Sequence, residues 1–231
     1  MPASIADGFL SLLAPPRCPG CDLPFTPTRS LQPTGAHTHP GGFSQPGCLN
    51  QLFCPACAPL IERAPRWLAP PASIAAAWRF EGPLADAIRR FKYAGAGRLA
   101  APLGLLLSEV ARPYLGLLDA VVPLPLHRSK LRSRGYNPAA LLGRSLAREL
   151  GVPLRVDLLR RERATRSQAG LDREARLSNV RGAFQARARP PAKLLLLDDV
   201  RTTGATLAEA ATTLTARGHT VTTLALAWAE A

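Results

Sequence analysis

Between residue 74 and the C-terminus, short apolar runs alternate with longer stretches in which apolar positions recur every three or four residues. The runs Leu118–Leu124 (LDAVVPL) and Lys193–Leu197 (KLLLL) show no polar alternation. They predict strands buried on both faces. Ile74–Phe80 and Thr220–Ala227 predict two more strands. The periodic stretches predict amphipathic helices over Gly82–Lys92 and Leu99–Ala111, separated by the glycine turn Gly95–Gly97. A third helix spans Asn137–Leu150, with Asn137 as cap, Pro138 at the first helical position and Gly151 just past the end. A fourth runs from Ala205 to about Arg217 and is stopped by Gly218. Buried strands alternating with helices predict an α/β fold with a parallel sheet flanked by helices. No internal repeat is present.

Residues 1–70 differ. They are rich in Pro and Gly, carry little periodic hydrophobicity and hold all five cysteines. The turn-rich segment 64–73 (APRWLAPPAS) marks the expected boundary with a second domain, 71–231. Cys18 and Cys21 form one C-x-x-C pair, and Cys54 and Cys57 form another. Two such knuckles offer four thiolates, which suits tetrahedral structural Zn²⁺ in a small zinc-ribbon-like module whose own core is too slight to fold it. Cys48, His37 and His39, which lie in or beside the loop-like spacer Thr26–Gly47, are alternative ligands. A redox role fits less well, because neither pair opens a helix within a βαβ unit.

With 231 residues and 47% hydrophobic content, the chain can bury a substantial core, which excludes a disordered polybasic tail. Its apolar runs are far too short to cross a bilayer, so no integral membrane segment is expected. The N-terminus lacks the basic region of a signal peptide. A cytoplasmic location follows, and the reducing cytoplasm in turn favours metal over disulfides.

The strongest chemical signal is Leu194–Leu207, LLLLDDVRTTGATL. A hydrophobic strand leads into two adjacent acids, then a Thr- and Gly-rich turn opens a helix. Ligands of open α/β sheets bind at the carboxyl ends of strands. Backbone N–H groups at a helix N-terminus favour an anion, Gly204 permits close approach of a phosphate, and the hydroxyls of Thr202, Thr203 and Thr206 add donors. Asp198 and Asp199 would repel that phosphate, and suit sugar hydroxyls or the neighbourhood of Mg²⁺. Together they describe a site for a phosphorylated ribose.

Residues 194–207 resemble the phosphoribosyl pyrophosphate (PRPP) signature of type I phosphoribosyltransferases. CPGC and CPAC near the N-terminus, RFEGPLADAIRRFKYAGAGRLAAPLG (79–104), VVPLPLHRSKLRSRGYNPAALL (121–142) and RATRSQAGLDREARLSNVRGAF (163–184) narrow the resemblance to the ComF family. The resemblance implies a type I phosphoribosyltransferase-like domain. In it Asp198 and Asp199 contact the ribose hydroxyls and carry any catalysis, while Val200, Arg201, Thr202, Thr203, Gly204, Ala205 and Thr206 hold the 5′-phosphate. It further implies a pyrophosphate loop at Leu126, His127 and Arg128. Arg134 in the basic turn 128–136, with Arg163, Thr165, Arg166 and Gln168, would cover the ligand, and Mg²⁺ would accompany PRPP. Transferase chemistry in this template displaces pyrophosphate at the anomeric carbon; the sequence reveals no general base and no acceptor pocket.

Charge adds a second expectation. The net charge is +13, and residues 128–189 contribute +11 of it, with 16 Lys or Arg against 5 Asp or Glu. PRPP would occupy only a few of these cations, so a second polyanion is expected, with nucleic acid the foremost class. ComF proteins are associated with natural transformation and with handling of single-stranded DNA at the inner face of the cytoplasmic membrane. The resemblance therefore implies partners such as single-stranded DNA and a competence helicase or other DNA-processing protein. Two readings stand: a PRPP-binding DNA-uptake factor, and a working Mg-dependent phosphoribosyltransferase acting on a base or amine.

Overall fold

The computed structural model describes residues 16–27, 49–68, 74–163 and 180–230. Thr165, Arg166, Gln168, Cys48, His37 and His39 lie outside the described residues.

Four strands, β1 (Ile74–Arg79), β2 (Ala120–Pro123), β5 (Lys193–Arg201) and β6 (Thr220–Trp228), form one sheet in the order β1-β6-β5-β2. Every pairing in it is parallel. Helices α1 (Leu49–Leu52), α2 (Gly82–Tyr93), α3 (Ala100–Ala111), α4 (Arg128–Arg134), α5 (Pro138–Leu150) and α6 (Ala205–Thr215) complete the fold, with an antiparallel pair β3 (Leu159–Arg161) and β4 (Phe184–Ala186). The parallel sheet flanked by helices, with a small cysteine module ahead of it, is the fold class expected from the sequence.

The leucine run explains the layering. Leu195 and Leu197 of β5 join a core with Leu84, Ile88 and Phe91 of α2, Leu103 and Leu107 of α3, and Leu142 and Leu146 of α5. Leu194 and Leu196 face the other way, onto Leu207 and Leu214 of α6 and onto Leu159 and Phe184 of the β3–β4 pair. Alternate residues of a strand point to opposite faces, so only a strand covered on both sides can carry uninterrupted leucine. The cysteine module continues the first core: Cys18, Phe53 and Cys57 are buried in the same cluster as Trp78 and Phe91.

The elements depart from sequence expectation in three places. β5 does not end at Leu197; it continues through both acids to Arg201, because β6 pairs with it as far as Arg201↔Trp228. The expected basic turn at 128–136 contains helix α4, capped at its start by the His127 side chain and ended by Gly135 with φ +81°. The three-residue strands β3 and β4 are too short to show a period of two in the sequence.

Candidate functional site

The site grows out of unequal strand lengths. β2 pairs with β5 only from Ala120↔Leu194 to Pro123↔Leu197. The Leu124 amide makes one further bond to the Leu197 carbonyl, at 2.7 Å. Pro125 then follows, with no N–H to extend the ladder, and the chain turns away. Past Leu197, β5 therefore keeps a neighbour on the β6 side alone, and a cleft opens beside Asp198 and Asp199.

That cleft has a volume of about 200 Å³, and its wall includes Leu124, Leu126, Asn137, Asp198, Asp199 and Thr206. Four cations also line it: Lys92 from α2, Lys130 and Arg134 from α4, and Arg161 from β3. A smaller hollow of about 30 Å³ lies within the turn, bounded by Asp198, Arg201, Thr202, Gly204, Ala205 and Thr206. Gly204 has φ +81°, a left-handed conformation that costs glycine little and most other residues much more. It reverses the chain into α6, whose first N–H groups lack carbonyl partners within the helix. The Thr203 hydroxyl accepts from the Ala205 amide at 3.4 Å and helps hold the turn.

The loop opposite is tied by two side chains. Asn137 donates through Nδ2 to the Leu124 carbonyl at 3.0 Å and accepts from the Ala139 amide at 3.1 Å, so it caps α5 while fixing the strand exit. The Tyr136 hydroxyl donates to the Phe91 carbonyl, joining α2 to the same loop. Arg134 lies over the Tyr93 ring with its guanidinium 4.9 Å from the centroid.

Electrostatics set the site apart from a neutral groove. The ammonium of Lys92 lies 2.7 Å from Asp199 Oδ1, and both side chains are largely buried. The Asp199 amide donates to Asp198 Oδ1 at 2.8 Å. Burial first, then the Asp199 charge, pushes Asp198 up to about 8. Burial pulls Lys92 down, but the charges of Asp199 and Asp198 outweigh it and leave the ammonium above its ordinary value. Lys130 is pulled down by burial and then by Arg161, Arg134 and Lys92. Cations crowded this closely repel one another, and an anion in their midst relieves that cost.

Of the residues singled out in the sequence, Asp198, Asp199, Val200, Arg201, Thr202, Gly204, Ala205, Thr206 and Arg134 come together around the two hollows, with Thr203 in the turn between them. His127 is instead engaged as the cap of α4, its Nδ1 3.3 Å from the Ser129 amide, and Arg128 is exposed. Arg163 donates to the Arg181 carbonyl at 2.6 Å on the exposed side of the β3–β4 pair. Lys92 and Arg161 were not anticipated as site residues. Lys92 did leave a signal: it follows Ile88 by four residues, and so falls on the buried stripe of α2 where a lysine is out of place.

A second constellation lies across α2. The sulfurs of Cys18, Cys21, Cys54 and Cys57 all lie within 4.8 Å of one another. The Cys54 amide donates to Cys18 Sγ at 3.4 Å. A Cβ at Gly20 would meet Pro83 Cβ at 2.7 Å and Cys57 Sγ at 3.0 Å, so the first knuckle can seat on α2 only with glycine there. Burial opposes ionisation of Cys54, but the Cys57 amide and the neighbouring thiols outweigh it and bring that thiol to about 7. Burial and the other three cysteines push Cys57 up. Four soft donors at this separation, one of them close to ionising at neutral pH, could hold a tetrahedral metal ion such as zinc. Arg90 of α2 buttresses the first knuckle: it donates to the Pro19 carbonyl and to that of Gly20 at 3.0 Å, and pairs with Asp22 at 2.9 Å.

No protein-family model matches the chain. Among curated proteins, Competence protein F of Haemophilus influenzae is 31% identical over 168 residues, 69% of this chain and 72% of the relative. The DNA utilization protein YhgH of Escherichia coli K12 is 30% identical over 207 residues, 87% of this chain and 78% of the relative. The chain belongs to the ComF family. Both alignments cover most of this family member and most of each relative. Solved structures that resemble it in part include an orotate phosphoribosyltransferase from Aeropyrum pernix, at TM-score 0.35 and 22% identity over 58% of this chain and 62% of that one. Another is an adenine phosphoribosyltransferase from Leishmania donovani, at TM-score 0.37 and 12% identity over 73% of this chain and 76% of that one. Among the described residues, no helix is long and apolar enough to cross a membrane.

Proposed function

We propose that this ComF protein binds PRPP with Mg²⁺ in the cleft at the end of β5 and acts in natural transformation and DNA uptake, binding single-stranded DNA on its basic surface. The observation that carries the reading is the arrangement of the cleft itself: an acid pair for the ribose hydroxyls stands between a helix-opening turn suited to the 5′-phosphate and four cations suited to a diphosphate. Mg²⁺ would enter with the diphosphate and offset its charge. The relatives' names, Competence protein F and DNA utilization protein, support the DNA-uptake role. The +11 of residues 128–189 supports a nucleic-acid partner, reached from the cytoplasmic side of the membrane. Zn²⁺ held by Cys18, Cys21, Cys54 and Cys57 has a folding role here, with all four positions filled by protein.

Fluorescence anisotropy of a labelled single-stranded oligonucleotide tests this directly. The expected result is binding that weakens steeply with salt and changes in affinity when PRPP and Mg²⁺ are added. An oligonucleotide that never binds would contradict the DNA-handling role. A specific observation favours a second reading. Asp198 stands in the cleft with burial and the Asp199 charge pushing it up to about 8, which suits a group that exchanges protons in a phosphoribosyltransferase. Release of pyrophosphate from PRPP in the presence of a base or amine would establish it.

A further inference from the structure

Among the described residues, Lys92 is the cation of the cleft that comes from the helix bearing the cysteine module. It sits on the buried stripe of α2, four residues after Ile88 and next to Phe91, both fully buried. A lysine there costs burial of an ammonium, which a hydrophobic residue of similar length would avoid. Its neighbours hold it in register. Arg90 grips the first knuckle, the Phe91 carbonyl accepts from Tyr136, and the Tyr93 ring supports Arg134. From this fixed position its ammonium reaches Asp199 at 2.7 Å.

We propose that Lys92 is a ligand-positioning residue of the cleft: paired with Asp199, its ammonium offsets that carboxylate's charge and lets an anionic phosphoribosyl ligand approach the acid pair of β5. The inference rests on the PRPP reading above and adds a residue to it. An uncompensated Asp199 carboxylate would repel the phosphates of that ligand, and a cation 2.7 Å away removes most of that repulsion. The other cations, Lys130, Arg134 and Arg161, line the cleft as well, and Lys92 is paired directly with Asp199.

Calorimetric titration with Mg²⁺ and PRPP at pH 8 separates the possibilities, using the full chain, Lys92→Met, Lys92→Arg, Asp199→Asn and the double variant Lys92→Met with Asp199→Asn. Lys92→Met is expected to lose about 30-fold in affinity or more, as when one partner of a buried charge pair is removed. Lys92→Arg keeps the charge and is expected within about fivefold of the parent. The double variant is expected to bind about as well as Asp199→Asn alone, because the charge that Lys92 neutralises has gone. Losses that simply multiply in the double variant, or Lys92→Met that binds as tightly as the parent, overturn the inference and leave the PRPP reading standing. A parent protein that shows no binding overturns the PRPP reading and this inference with it. Should Lys92→Met unfold, melting curves decide: Asp199→Asn in the same chain restores folding if charge is the cause, and fails to if packing is.

Discussion

The two chemical centres of this protein stand on opposite sides of α2 and are held in place by different physics. The cleft is framed by the sheet: β5 is paired to β6 along its whole length, with leucines buried on both faces, so Asp198 and Asp199 inherit the rigidity of the core. The cysteine cluster has little secondary structure. Its two knuckles are turns, closed by bonds such as Asp22 N–H to Cys18 O at 2.9 Å and Ala58 N–H to Cys54 O at 3.0 Å. What orders them is burial of Cys18, Phe53 and Cys57 at the edge of the first core, convergence of four sulfurs and the grip of Arg90. The contrast teaches that the same chain can place a site on a strand buried on both faces or by the convergence of thiols that could hold a metal, and the two fail differently.

Removing the proposed zinc should have the largest effect. Chelation, or Cys54→Ser, is expected to lower the melting temperature by about 10 °C or more and to open the knuckles to proteolysis. Far-ultraviolet circular dichroism should retain the signal of the sheet and of α5. Loss of that signal together with the knuckles would erase the distinction between the two regions. Arg90→Ala comes next, since it strips several donors from the first knuckle. A cost of about 1–2 kcal/mol and faster transfer of zinc to a chelator are expected, with the cleft unchanged in the absence of ligand. On the other side, Asn137→Ala removes both the cap of α5 and the tie to Leu124, at about 1 kcal/mol, read from denaturant unfolding.

Asp198→Asn should act with the opposite sign. The folded-state value of about 8 lies above that of the unfolded chain, so the native protein binds the extra proton, and stability falls as pH rises from about 4 to about 8. The Asn variant lacks that slope. Its melting temperature is expected to exceed the parent's by a margin that widens between pH 5 and pH 8, while binding of a ribose ligand weakens. A constant margin across this range would mean that Asp198 is not held in its protonated form.

The sheet was legible in the sequence because its signals are local: a leucine run too hydrophobic for a surface, and helix ends marked by Asn137, Pro138 and Gly151. The strand boundary at Leu197 was not, since only the partner strand β6 reveals that Asp198–Arg201 continue the ladder. The acid pair, the threonine turn and the cysteine knuckles each announced themselves as contiguous motifs. Lys92 and Arg161 did not, because they reach the cleft from α2 and β3, far away in sequence, and meet Asp198 and Asp199 only after folding. His127, which the resemblance places in a pyrophosphate loop, has a structural role that the sequence did not announce: its ring nitrogen satisfies the first turn of α4.

The central claim is that the cleft at the end of β5 takes a phosphoribosyl ligand. Calorimetric titration of the zinc-replete protein with PRPP and Mg²⁺, repeated with Asp198→Asn and Asp199→Asn combined, tests it most directly. Saturable, Mg-dependent binding by the parent, weakened by about tenfold or more in the double variant, is the predicted result. No saturable heat with the parent protein, or equal binding by both, would contradict it.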